Sequence, residues 1–224
     1  MIKLKNLNKK FTKKQKRIIA LNNITVEFEY GKFYAIMGCS GSGKTTLLNI
    51  IGLLDKPSSG FLYIDDINVA NFSEKKNNEI RQKKIGYIFQ ECYLSENLNV
   101  FENIMLPLII NKEISINEKK IIVQELLDTI KLKERANHFP CELSGGEKQR
   151  VAIARSLVNN PSIVLADEPT GNLDNHNERM IFNMLKELAK EGKCVIVVSH
   201  SEEVKKYADK LIYMKEGILE DKNI

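Results

Sequence analysis

Along the chain, apolar positions switch between two periods. Residues 18–28 alternate apolar and polar side chains and are rich in β-branched types, the period-2 mark of a half-buried strand. Residues 33–37 form a short continuous apolar run ending in a glycine-rich turn, and 46–54 carry apolar residues at helical spacing. The order there is strand, glycine loop, helix. Residues 61–69 read as further strand with a turn near Asp65 and Asp66, and 85–89 as another short strand. From there to about residue 160 the pattern is mostly helical. Ser115 and Glu118 have capping-box spacing ahead of Ile122, Leu126 and Ile130. The last third alternates again: strand 163–166, helix 178–190, strand 194–198, a short helix 202–207 and strand 211–214. Such alternation predicts an α/β fold with a parallel sheet, into which the helical middle reads as an insertion.

Length and composition narrow this picture. A chain of 224 residues suits one domain with an inserted subdomain, and 43% apolar with 28% charged residues excludes the disordered and fibrous classes. No apolar run approaches the roughly 20 residues of a membrane-spanning helix. The longest, 104–110, is broken by Pro107. The opening MIKLKNLNKK has no apolar core of a secretory signal, so the expectation is a cytoplasmic chain that serves a membrane only through a partner. Cysteines at 39, 92, 141 and 194 form no CxxC pair and no zinc spacing, which favours free thiols.

Charge is unevenly placed. Residues 1–17 hold eight cations (Lys3, Lys5, Lys9, Lys10, Lys13, Lys14, Lys16, Arg17) and no acid, leaving the remainder at −3 against a whole-chain +5. A solvated hairpin between two strands is favoured over a nucleic-acid or anionic-lipid contact, because such runs usually just hydrate a surface.

Three motifs carry chemistry. Gly38-Cys39-Ser40-Gly41-Ser42-Gly43-Lys44-Thr45 matches the phosphate-binding P-loop, with apolar strand before it and helix after it. Glycines let backbone N–H groups turn toward an anion, and the next helix directs its positive end at phosphate. Lys44 supplies a point charge and Thr45 a hydroxyl for Mg2+. The apolar strand 163–166 ends in Asp167 and Glu168: one acid can hold Mg2+ through water, the next can act as general base. Leu143-Ser144-Gly145-Gly146-Glu147 has capping-box spacing at Ser144 and Glu147, hence a second helix N-terminus able to meet an anion.

With these motifs in this order, the whole chain resembles an ATP-binding-cassette (ABC) protein, the nucleotide-binding subunit of an ABC transporter. Leu143 to Glu147 is similar to that family's signature, where glutamine is the commoner last residue. Phe11 falls where the adenine-stacking aromatic lies, in place of the commoner tyrosine. Gln90 resembles the Q-loop glutamine, Gly171-Asn172-Leu173-Asp174 the D-loop, and His200 the switch histidine. Asp66 stands where a turn glycine is usual, which Asp tolerates moderately well. Cys39 lies inside the phosphate loop, where a small residue that fits is favoured over a reactive thiol.

The resemblance implies a P-loop NTPase cassette with a RecA-like core, an antiparallel β subdomain and an inserted α-helical subdomain. Residues 1–90 and 160–224 would form the ATP-binding core and 91–159 the helical signature subdomain. It implies ATP and Mg2+ as cofactors. The nucleotide would be held by Phe11, the loop Gly38, Cys39, Ser40, Gly41, Ser42, Gly43, Lys44, Thr45 with Thr46, and the partner-facing Ser144, Gly145, Gly146 and Asp174. Thr45, Gln90 and Asp167 would serve the metal. Glu168 is the implied base, with His200, Gln90 and Lys44 around the γ-phosphate. The implied partners are a second copy, in a head-to-tail ATP sandwich, and an integral-membrane permease; no nucleic acid is expected. The chain would sit peripherally on the cytoplasmic face of the membrane.

The phrases IMGCSGSGKTTLLNIIGLLDKPSSG, ENIMLPL and LADEPTGNLD are most similar to the macrolide-exporter and lipoprotein-release branch, which includes antimicrobial-peptide exporters. The competing reading is a soluble or cell-division ABC ATPase that signals mechanically or acts on nucleic acid. No heptad run separates Lys44 from Leu143, and one cassette is present, which weighs against that reading. A metabolic P-loop kinase does not account for the signature. Tyr93, Leu94, Leu98 and Phe101, in the stretch 92–108, either face the membrane partner or pack inside the helical insert.

Overall fold

β3 (Phe33–Met37) and β8 (Cys194–Val198) are buried at every position, as continuous apolar runs require in the middle of a parallel sheet. In the computed structural model, which describes residues 1–13, 16–111 and 113–220, they centre a six-stranded sheet. The other strands are β6 (Ile85–Ile88), β7 (Ile163–Asp167), β9 (Lys210–Lys215) and β10 (Ile218–Glu220). The order is β10-β9-β3-β8-β7-β6, with only β10 antiparallel to its neighbour.

A second, antiparallel sheet has the order β2-β1-β4-β5. It is built from β1 (Ile2–Lys13), β2 (Lys16–Phe28), β4 (Ser59–Ile64) and β5 (Ile67–Asn68). The basic stretch is therefore a strand pair, and Lys14 lies outside the described residues. Three of its cations find local partners. Lys3 pairs with Glu27, Lys5 covers the Tyr63 ring, and Lys9 pairs with Asp55 at 2.6 Å.

Helices follow the strands: α1 (Lys44–Ile51), α2 (Glu74–Lys84), α3 (Val100–Ile109), α4 (Ile116–Thr129), α5 (Gly145–Leu157) and α6 (Asn175–Lys190). Residues Glu202–Lys206 form a 3-10 turn where a short helix is anticipated. Three apolar cores result. One joins the two sheets through α1, with Leu4, Phe28, Ile36, Leu47 and Ile196. A second lies under α6 on the other face of the parallel sheet, with Phe33, Phe182 and Val195. The third fills the space among α3, α4 and α5, with Ile104, Val123 and Val151. α5 serves two of them: Ile153 packs on the parallel sheet while Val151, Ala154 and Val158 pack on the helices. Among the described residues, no helix is long and apolar enough to cross a membrane.

The stretch 92–108 divides. Leu94 and Phe101 pack against the helical core, whereas Tyr93 is 64% exposed.

Candidate functional site

Four parallel strands deliver the site residues at their C-terminal edges, where open α/β sheets form their crevices. β3 runs into the glycine loop and α1, β6 leads to Gln90, β7 ends at Asp167 and Glu168, and β8 leads to Ser199 and His200. Because β8 lies between β3 and β7, the loop and the acid pair flank the histidine.

A cavity of about 580 Å³ opens there, lined by Ser40, Gly41, Gly43, Lys44, Thr45, Thr46, Gln90, Glu168 and His200. Gly43 has φ 104°, and a Cβ on it would stand 2.3 Å from the Ala20 carbonyl, so only glycine fits. α1 has no side-chain cap and no acid in its first turn, which leaves its terminal N–H groups free for an anion. The buried Ser42 Oγ likewise has no hydrogen-bond partner.

Lys44 Nζ donates to the carbonyls of Gly38 (2.8 Å) and Cys39 (3.0 Å) and lies 3.4 Å from His200 Nε2. Burial lowers its pKa against the opposing pull of Glu168 and Asp167. Thr45 Oγ1 donates to Asp167 Oδ1 at 3.2 Å. The His200 backbone N–H donates to Glu168 Oε2 at 3.1 Å. Glu168 Oε1 is buried without a hydrogen bond; His200 Nε2 stands 3.3 Å away, out of line for one. Glu168 has φ 48°, a left-handed conformation uncommon for glutamate and frequent at functional sites. Burial raises the pKa of both Asp167 and Glu168, outweighing the Thr45 hydroxyl in one case and the His200 backbone in the other.

The donor set of Thr45, Asp167 and Gln90 is all oxygen. It suits a hard divalent cation that keeps waters and takes one carboxylate alongside phosphate. The Thr45–Asp167 contact already places two of these donors together.

The signature residues lie elsewhere. Ser144 caps α5, and no residue of α5 lines the phosphate-loop cavity. Gly145 instead lines a neighbouring groove of about 350 Å³ with Gln90, Cys92, Gln149 and Gly171. Gly146 allows close packing: a Cβ there would stand 2.3 Å from Asn177 Oδ1. Asn177 in turn donates to Asp174, the N-cap of α6, at 2.7 and 2.9 Å, so the D-loop and signature segments abut within one chain.

Phe11 is 41% exposed, with Lys9 Nζ 4.8 Å from its ring centre. It does not line the cavity; Ile18, Ile19 and Ala20 do, and Ile18 is its partner across the strand pair. Sequence reading passes over these three because they look like ordinary strand residues. It also misses Arg155, whose guanidinium donates to the carbonyls of Cys92 (2.6 Å) and Tyr93 (2.7 Å), just beyond Gln90.

Comparisons with known proteins agree with this geometry. The family model described as ABC transporter matches residues 21–171. The ABC transporter ATP-binding protein MJ0796 of Methanocaldococcus jannaschii is 46% identical, over 98% of this chain and 95% of its own. A solved dimer of that cassette in a post-hydrolysis state, bound to ADP and Pi, matches with a TM-score of 0.91 and 44% identity, over 99% of this chain and 97% of that one. The lipoprotein-releasing system ATP-binding protein LolD of Francisella tularensis is 41% identical over 98% and 96%. The macrolide export ATP-binding/permease protein MacB of Bdellovibrio bacteriovorus is 43% identical over 98% of this chain, which spans 33% of that longer protein.

Proposed function

The chain belongs to the ABC transporter family of ATP-binding proteins and is an ATPase, and from that premise we propose that it is the motor subunit of an exporter or extrusion system. Two copies would close head to tail on two ATP molecules and drive a separate integral-membrane permease. One observation carries the dimer: the phosphate-loop cavity gathers Lys44, Thr45, Gln90, Glu168 and His200, yet receives nothing from the signature helix of its own chain. The dimeric MJ0796 structure supports the same assembly here.

In this reading the loop Gly38 to Thr45 and Thr46 hold the phosphates, with Lys44 leaving the Gly38 and Cys39 carbonyls for the β- and γ-phosphates. Ile18 and Ile19 at the cavity, with Phe11 across the strand pair from Ile18, would offer the base an apolar face. Ser144, Gly145 and Gly146 of the second copy meet the γ-phosphate, and Asp174 lies at the seam. Thr45, Gln90 and Asp167 would hold Mg2+, which neutralises phosphate charge when bound. Glu168 takes the proton of the attacking water through Oε1, the oxygen without a donor. Its raised pKa brings it nearer to working pH, as a general base requires. His200 fixes the other oxygen and reaches toward the γ-phosphate beside Lys44. Hydrolysis of this kind needs chiefly positioning and charge neutralisation.

We take 91–159 as the helical unit and 1–90 with 160–224 as the nucleotide core. The stretch 92–108, with exposed Tyr93 and Leu106, would face the permease. Similarity to LolD and MacB supports a lipoprotein or a macrolide-like drug as cargo and a peripheral position at the membrane.

The decisive variant is Glu168→Gln. ATP binding is retained, hydrolysis falls by about 10²–10⁴-fold, and an ATP-bound dimer accumulates in sedimentation. Near-normal turnover in this variant would remove Glu168 as the base.

A further inference from the structure

The two helix ends assigned to phosphate differ in one respect. α1 begins uncapped, with no acid in its first turn. α5 begins with a capping box in which Ser144 and Glu147 hold each other. Glu147 Oε2 accepts from the Ser144 backbone N–H at 2.8 Å and from the Ser144 hydroxyl at 2.8 Å, while the Glu147 N–H donates to Ser144 Oγ at 3.3 Å. A serine has one hydroxyl proton, and here a carboxylate holds it. Phosphate oxygens are acceptors, so Ser144 must withdraw that proton from Glu147 before it can donate to a nucleotide.

We propose that Glu147 is a positioning residue that restrains ATP-driven dimerisation by holding the Ser144 hydroxyl proton. This inference rests on the reading that Ser144 meets the second copy's nucleotide.

Two features keep the restraint in force. The bonds from Ser144 hold the Glu147 carboxyl below the usual carboxylate range, so it stays charged. Arg135, 3.7 Å from the other oxygen, and the charge of Arg150 offset it without touching the oxygen that Ser144 holds. A hydrogen bond to a carboxylate is roughly twice as strong as one to a neutral acceptor. A glutamine at 147 would keep an acceptor for the Ser144 N–H, and so keep the helix cap. It would release the hydroxyl more readily, because a neutral amide oxygen is the weaker acceptor.

The test uses the full chain carrying Glu168→Gln, so that ATP is bound and not consumed. Dimerisation is followed by sedimentation velocity with ATP, across protein concentrations. Glu147→Gln should lower the dimer dissociation constant by about tenfold. Adding Ser144→Ala should abolish most of that gain, because no hydroxyl proton remains to be released. A merely structural role for Glu147 predicts loss of dimer, never gain, on this substitution. No tightening with Glu147→Gln, or an equal gain in the Ser144→Ala background, overturns the proposal. If Ser144→Ala alone leaves dimerisation unchanged, the fault lies instead with the role of Ser144 in the sandwich. Melting curves of each variant without nucleotide verify that the α5 cap survives.

Discussion

Asp167 is a carboxylate taken partly out of water, and one neutral hydrogen bond from Thr45 with the nearby charges of Lys44 and His200 offsets that burial only in part. Glu168 beside it has an oxygen with no donor at all. Both pKa values are raised, so folding favours the neutral forms. That contribution is complete below about pH 4 and is lost as pH rises through the folded-state values. Ionising these two carboxylates in the nucleotide-free site therefore costs stability. Asp167→Asn keeps an oxygen for Thr45 and removes one charge. It should raise the nucleotide-free melting temperature at pH 7.5 by about 2–4 °C, with the gain shrinking toward pH 4, and should abolish the added stabilisation that Mg2+ gives with ATP. Thermal denaturation across pH, with and without ATP and Mg2+, measures both. A lower melting temperature for the nucleotide-free variant at pH 7.5 would contradict this account.

At the scale of elements, the turn joining β4 to β5 shows how a site-bearing sheet is fastened. Asp65 and Asp66 both have positive φ, 50° and 63°, the geometry of a two-residue hairpin turn, so the absent glycine is replaced at some strain. Asp65 accepts from the amino terminus at 3.0 Å and from Tyr30 Oη at 2.8 Å, and pairs with Lys84 of α2. Burial pushes its pKa up, but Lys84, the amino terminus and Tyr30 together bring it down to about 2. The sign is opposite to that of Asp167: this stability is present above about pH 4 and fades as pH falls toward 2. Asparagine tolerates left-handed turns, so Asp65→Asn removes charge without disturbing the backbone. It should lower the melting temperature at pH 7 by about 2–4 °C, with variant and parent converging as pH drops from 4. A constant difference across that range would assign the effect to the turn and not to the charge. The same elements mark what was legible from sequence. β3, β7 and β8 announce themselves because strands covered on both faces read as unbroken apolar runs. α2 does not, because Glu74 to Lys84 buries only Asn77 and has almost no apolar stripe for periodicity to detect. Its signal lies in the Ser73 cap and the basic last turn alone. Ile18 and Ile19 escape notice because register across β1 and β2, with its bulges, decides which hairpin residue faces the cavity.

In the proposed sandwich, the molecule as a whole would make hydrolysis and assembly one event. Ser144 is exposed at the head of α5, and α5 packs on both the parallel sheet and the helical core. Arg155, also on α5, grips the backbone just after Gln90. On the proposed assembly, a phosphate drawn to Ser144 of one copy would thus pull on a helix that is tied to the Gln90 segment of that same copy. Two consequences are measurable. Specific ATPase activity should rise with protein concentration and level off only as dimer saturates. Ser144→Arg should bind ATP nearly as the parent does yet lose concentration-dependent hydrolysis, since the guanidinium fills the space the second nucleotide needs. Lys44→Ala, by contrast, should lose its own nucleotide while keeping an intact signature. Mixed together, these two inactive variants form pairs in which one composite site combines the sound phosphate loop of the first with the sound signature of the second. Hydrolysis should then reappear on mixing, at about a quarter of the parent rate, because half the dimers are mixed and each has one of two sites. Full activity of Ser144→Arg alone would mean that the site is complete within a single chain.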